Sequence, residues 1–187
     1  MDADAQANIT AVLTLAFASD PPTRYIWPDP EVYLRCFPSF VQAFAGRAFE
    51  LGTAHHADAG AAALWLPPGV ESDGAALANL VRGSVPDEKR AEAAETFAQM
   101  RQFYPRQPHW HLALLGVDPR AQGSGAGSHL LGRSLRDLDA AGALAYLENS
   151  NPRNLVFYER HGFEVVGEIQ VGAYPVIYPM VRQPGAR

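Results

Sequence analysis

The chain has 187 residues, a length that suits one domain able to bury its core without disulfide staples. Hydrophobic residues make up 48% and charged residues 19%, the balance of a folded protein rather than a disordered one. The net charge is −5 and Lys89 is the only lysine, so no basic run can grip a nucleic-acid backbone; the single cysteine, Cys36, excludes a disulfide framework and a multi-cysteine metal site.

The segment MDADAQANIT starts acidic, without the basic-then-apolar order of a secretory signal, and no long apolar window follows. The expectation is a cytoplasmic, reduced protein with neither a membrane nor a nucleic acid as partner. In residues 5–18, Ile9, Val12, Leu13, Ala16 and Phe17 recur at helical spacing and predict an amphipathic helix, stopped by Asp20-Pro21-Pro22. Residues 23–30 (TRYIWPDP) read as a proline-broken, aromatic-rich loop. A helix over 31–46 turns Phe37, Phe40, Val41 and Phe44 inward, with Pro38 threatening its middle. Strands are expected at about 49–55 and 60–66, joined by the Asp58-Ala59-Gly60 turn and ended by Pro67-Pro68-Gly69. The adjacent His55 and His56 face opposite ways and read as hairpin surface. Helices over 71–83 and 86–104 form an insertion of the kind that shapes a binding site.

From His109 the pattern sharpens. HWHLALLGV (His109–Val117) is a strand with an apolar core. After a turn over 118–124, residues 125–141 carry Leu131, Leu135 and Leu138 on one helical face, and Gly142 ends that helix. Residues 143–148 form another strand. Asn151-Pro152 opens a short helix that Gly162 closes, and strands over 163–171 and 174–182 follow. Without a repeat or linker, the reading is one domain over 1–187 with a mixed α/β (α+β) sheet.

Chemistry concentrates in VDPRAQGSGAG (117–127), where a strand ends, glycines follow and a helix begins. Such a loop turns several N–H groups toward one concavity at a helix N-terminus and favours an anion, a phosphate or pyrophosphate above all. The Walker ending Gly-Lys-Ser/Thr is absent, and G-x-G-x-G is not the dinucleotide spacing G-x-G-x-x-G. The pattern Gln122-x-x-Gly125-x-Gly127 after Val-Asp-Pro resembles the acetyl-CoA-binding loop of the GNAT superfamily of N-acetyltransferases. Asn151 to Phe163 (NPRNLVFYERHGF) is similar to a later motif of the same family. HWHLALLGV, Tyr146-Leu147-Glu148 and Phe157-Tyr158-Glu159-Arg160 resemble the puromycin N-acetyltransferase-like branch.

The resemblance implies a mostly antiparallel central sheet flanked by helices, its central strands splayed. It also implies transfer of an acetyl group from acetyl-CoA to a primary amine by direct attack in a ternary complex. Leu115, Gly116 and Val117 would meet the pantetheine arm through their backbones, Gln122, Gly123, Ser124, Gly125, Ala126 and Gly127 the pyrophosphate, with Asn151 and Asn154 beside them. Tyr158 is the general acid, since a phenol still holds its proton at neutral pH. The base is Glu148, at a strand end beside the cleft, or His111, which shares a strand face with His109. His-x-His without a third ligand does not make a metal site, and no metal is expected. Tyr25, Trp27 and Trp65 are candidate walls for an apolar or aromatic acceptor. Family members begin with a strand, whereas here a helix starts almost at Met1.

The acceptor is expected to be a small-molecule amine, because the 70–108 insertion suggests a lid over a small pocket; the protein would be a monomer or homodimer. A non-catalytic acyl-CoA-binding module of the same fold and an enzyme acting on a protein amine are the alternatives.

Overall fold

The structure is a computed structural model in which residues 1–186 are described. The chain opens with α1 (Ala3–Ala16), whose first turn is capped by the Asp2 carboxylate accepting from Ala5 N at 2.8 Å. A six-residue helix, α2 (Pro21–Ile26), replaces the expected loop: Asp20 caps it, and Pro21 and Pro22 take the first helical positions, where a missing N–H costs nothing. In α3 (Pro30–Ala45) Pro38 sits mid-helix without breaking it. The carbonyl that Pro38 leaves without a donor belongs to Leu34, on the exposed side where water can serve it. The opposite side buries Tyr33, Phe37, Val41 and Phe44. Residues expected to start the first strand form a helical turn instead, α4 (Arg47–Leu51), because Gly52 closes it in the left-handed region at φ 71°.

The remaining elements are β1 (Ala54–Ala57), β2 (Ala61–Leu66), α5 (Gly74–Ser84), α6 (Asp87–Gln102), β3 (His109–Val117), α7 (Ala126–Ala140), β4 (Leu144–Asn149), α8 (Leu155–Glu159), β5 (Glu164–Val165) and β6 (Tyr178–Arg182). The two long closing strands expected from the sequence shrink to β5 and β6, joined between them by one bridge, Ile169 to Ile177. Gly167 lies so close to the Phe103 ring that a Cβ would collide with it, so the chain leaves the ladder there.

One sheet runs β1-β2-β3-β4-β6-β5, antiparallel except where β3 lies against β4. No strand precedes α1 among the described residues, so β1 is the sheet edge. β2 is buried on both faces. Ala62, Leu64 and Leu66 join the core with α1 and α3, and Ala61, Ala63 and Trp65 join the core with α7. At Gly116 a Cβ would lie 2.7 Å from Ala16 Cβ, which shows how closely α1 presses on β3. Arg182, only 4% exposed, binds Asp139 at 2.6 and 2.9 Å and ties β6 to α7. Among the described residues no helix is long and apolar enough to cross a membrane.

Candidate active site

β3 and β4 pair only through residues 109–111 and 144–146. Beyond them the strands part. β3 runs on to Val117 held by β2, and β4 runs on to Asn149 held by β6. The facing edges are left without a ladder partner, and a cavity of about 720 Å³ opens between them, lined by Leu112 to Val117 on one side and Leu147 to Asn151 on the other. Unpaired backbone on two diverging edges can accept an extended ligand as if it were a strand.

The loop after β3 closes one end of the cavity. Gly123 and Gly125 sit at φ 77° and 87°, conformations that only glycine adopts without strain. Gly125, at the cap position of α7, has no side chain to offer, and Ser124 Oγ takes only the Ala126 N–H at 3.3 Å, so the N–H groups of Gly127 and Ser128 remain free for a ligand. A Cβ on Gly127 would lie 3.0 Å from Val117 Cγ2, so the loop lies directly against the strand end. Gln122 donates to the Val117 carbonyl at 3.3 Å and braces this turn. Arg153 and Arg160, from the segment after β4 and the end of α8, also line the cavity and add positive charge to it.

Tyr158 projects from α8 into the cavity wall and is 9% exposed. Burial, and after it the charge of Asp20, holds its phenol well above the ordinary tyrosine range. The group therefore keeps its proton at neutral pH.

Two carboxylates reach the cavity. Glu148 Oε2 lies 2.7 Å from His111 Nε2, with both side chains about nine-tenths buried or more, at 4% and 5% exposed. Its other oxygen, Oε1, is buried without a partner. Around this pair stand Tyr104, Tyr146 and Phe44. Burial and the charge of Glu148 push the Tyr104 and Tyr146 phenols up. The second carboxylate is Asp20, at the α1–α2 junction and 7% exposed. It accepts from Ser150 Oγ at 2.5 Å and from Thr23 N at 3.3 Å. Burial outweighs these hydrogen bonds and pushes its carboxyl up to about 6.

Rings crowd one side of the cavity. Trp27, Phe40, Phe44 and Phe97 line it, with Ile177 and Tyr174 arriving from the loop before β6.

Residues 20–163 match the sequence family described as the acetyltransferase (GNAT) family. The chain belongs to that family. The acetyltransferase also resembles solved structures along its whole length. A histone acetyltransferase HPA2 and related acetyltransferase from Corynebacterium glutamicum is 24% identical with a TM-score of 0.67, over 100% of this chain and 95% of that one. Arylalkylamine N-acetyltransferase 2 from Aedes aegypti is 12% identical with a TM-score of 0.63, over 99% and 97%. The ribosomal-protein-S18-alanine N-acetyltransferase from Escherichia coli is 14% identical with a TM-score of 0.52, over 100% and 92%. At such identities these likenesses speak for the fold.

Within the acetyltransferase the structure gathers Leu115, Gly116, Val117, Gln122, Gly123, Gly125, Ala126, Gly127, Asn151, Asn154, Tyr158 and Glu148 around one cavity. Ser124 caps the turn locally, donating to the Ala121 carbonyl at 2.6 Å. His111 stands behind Glu148 and touches the cavity through it. Of the three expected acceptor walls, only Trp27 lines the cavity. Trp65 lies in the core under α7 because its strand position faces away from α1 and α3. Tyr25 turns its hydroxyl to Glu92 at 2.5 Å and stays outside the cavity. Sequence reasoning missed Asp20 and Ser150. Asp20 reads as a helix stop before two prolines; Ser150 carries only the weak signal of standing two residues after Glu148.

Proposed function

We propose that the protein transfers an acetyl group from acetyl-CoA to a primary amine of a small molecule, both held in the cavity at once. The observation that carries this reading is the parting of β3 from β4 toward the N-terminus of α7, where the Gly127 and Ser128 N–H groups are free. The fit is physical. Diverging backbone edges suit the amide-bearing pantetheine arm, and the free N–H groups at Gly127 and Ser128, with Arg153 and Arg160 nearby, suit a pyrophosphate. When bound, acetyl-CoA supplies an activated acyl carbon with a thiolate leaving group.

The protein's residues then divide the work. The β3 backbone near Leu115 offers N–H groups to the thioester oxygen, where negative charge grows during attack. Asn149, whose Nδ2 is buried without a partner on the cavity wall, is a free donor for the pantetheine arm. Tyr158 gives its proton to the departing sulfur. A cavity carboxylate takes the proton of the incoming ammonium. Trp27, Phe40 and Phe44 favour an amine carried on an apolar or aromatic scaffold. The puromycin N-acetyltransferase-like motifs and a cytoplasmic, reduced setting, which suits the buried Cys36, belong to this proposal as well. So does Asn154 as a cofactor contact; Asn151 is partly engaged in accepting from Arg153 N at 3.1 Å.

Calorimetric titration with acetyl-CoA, followed by thiol release with 2-phenylethylamine as acceptor, tests the reading. Saturable binding and amine-dependent thiol release are expected; absence of acetyl-CoA binding rejects it.

A further inference from the structure

We propose that Asp20, oriented by Ser150, is the catalytic base that receives the proton of the acceptor ammonium. The inference rests on the transferase reading above and assigns its undecided base.

The argument begins with position. A base and an acid that serve one displacement must face the same reacting atoms. Asp20 and Tyr158 both line the cavity, and the Asp20 charge is felt by the Tyr158 phenol. Glu148 also lines the cavity, two residues past the last β3–β4 pair, but the phenols that feel its charge are those of Tyr104 and Tyr146. One oxygen of Glu148 is engaged by His111 and the other is sealed in the protein. Glu148 is thus taken up by His111 just past the last β3–β4 pair, whereas Asp20 is the cavity carboxylate whose charge reaches Tyr158.

Capping does not explain Asp20. A neutral Ser, Thr or Asn would cap the six residues of α2 equally well, without the cost of a buried charge. The hydrogen bond from Ser150 joins positions 130 residues apart and fixes the carboxylate against the segment that follows β4. The groups facing Asp20 are phenols: Tyr33 from α3, Tyr158 from α8 and Tyr174 from the loop before β6. Arg24 of α2 donates to the Pro28 carbonyl and lies 5.8 Å from the Tyr33 ring centroid, and no salt bridge joins Asp20 to a cation among the described residues. A carboxyl so placed titrates near 6 and is matched to taking a proton at neutral pH.

The step balances. Asp20 takes one proton from R–NH₃⁺ and frees the nitrogen lone pair. The N–C bond forms, the C–S bond breaks, and its electron pair leaves on sulfur, which Tyr158 protonates. The second nitrogen proton replaces the one Tyr158 gave. Asp20 releases its proton to water.

The test uses acetyl-CoA at saturation and 2-phenylethylamine as probe. Because the raised carboxyl is ionised only above about pH 6, wild-type kcat should fall as pH drops through that value. Asp20→Asn should lower kcat about 10²–10³-fold and abolish the limb, leaving a rate that climbs toward the amine's own pKa. Ser150→Ala removes a hydrogen bond that favours the carboxylate, so the limb should move upward by roughly half a unit or more. Glu148→Gln should keep the limb in place. Acetyl-CoA affinity, read by calorimetry in each variant, reports on the transferase reading separately. Intact affinity with an unmoved limb in Asp20→Asn, or a limb abolished by Glu148→Gln, overturns Asp20 and spares the transferase. If Asp20→Asn does not fold, Ser150→Ala decides: a limb that stays put rejects the proposal. If the wild type binds acetyl-CoA yet leaves 2-phenylethylamine unacetylated, the acceptor class is wrong. The Asp20 carboxyl is then followed by carbon-13 NMR, and a signal that titrates near 4, or is unmoved by Ser150→Ala, overturns its role.

Discussion

The two walls of the cavity are built by different means. The wall made by β3, the glycine loop and α7 is a backbone wall: its functional groups are N–H and C=O groups exposed by strand divergence and by glycines at positive φ. The wall made by α2, α3 and the loop before β6 is a side-chain wall of rings and one carboxylate, drawn from segments far apart in the chain. A backbone wall recognises what every acyl-CoA has in common, its amides and phosphates. A side-chain wall can be redrawn residue by residue, and it sets which amine enters. The variants that best separate the walls are those whose effects fall on one ligand alone.

The largest effect is expected at Tyr158, where the walls meet, because its phenol sits on the backbone side while Asp20 on the other side helps retain its proton. Tyr158→Phe should cut kcat by about 10²–10⁴-fold and leave acetyl-CoA affinity and acceptor KM close to wild type, as measured by steady-state rates and calorimetry. An acetyl-CoA affinity that fell along with kcat would place Tyr158 among the binding groups.

Gly127→Val comes next and should break the backbone wall alone. A Cβ there already lies 3.0 Å from Val117 Cγ2 and 3.8 Å from Phe157 Cζ, and the branched methyls add to that crowding beside the free N–H groups. Acetyl-CoA affinity should fall about 10²-fold, the equivalent of about 3 kcal/mol, with the thermal melt showing a folded protein. Gly125 differs from Gly127. Nothing lies within 4 Å of a Cβ at Gly125, so a side chain there strains the φ of 87° rather than filling the cradle.

The same division explains what the sequence disclosed. The backbone wall was legible because its signals are local: glycines at fixed spacing between a strand and a helix. The strand His109–Val117 matches its expected bounds for the same reason. The side-chain wall was not, since neither Asp20 nor Ser150 has a neighbour in sequence that announces the contact across 130 residues. Local rules also misled where tertiary context decided. Pro21 and Pro22 read as breakers and start a helix, and Trp65 read as a wall and is core.

The smallest effect is expected at a latch outside the cavity. Glu92 of α6 accepts from the Tyr25 hydroxyl at 2.5 Å and from Ala173 N at 3.3 Å, so one carboxylate ties α6 to α2 and to the loop that carries Tyr174. The Tyr25 hydroxyl bond, first, and the Ala173 bond hold the Glu92 carboxyl below its usual range. Lys89, one turn earlier, donates to the Tyr25 carbonyl at 2.7 Å and lies 4.6 Å from the Tyr25 ring centroid. Tyr25, Lys89 and Glu92 are half-buried at the surface, where each contact is weak, but all act on elements of the side-chain wall. Glu92→Gln should therefore raise acceptor KM by about 2–3-fold while acetyl-CoA affinity stays fixed. A shift in acetyl-CoA affinity of equal size would mean that α6 couples the two walls, and their separation would then be one of construction and not of function.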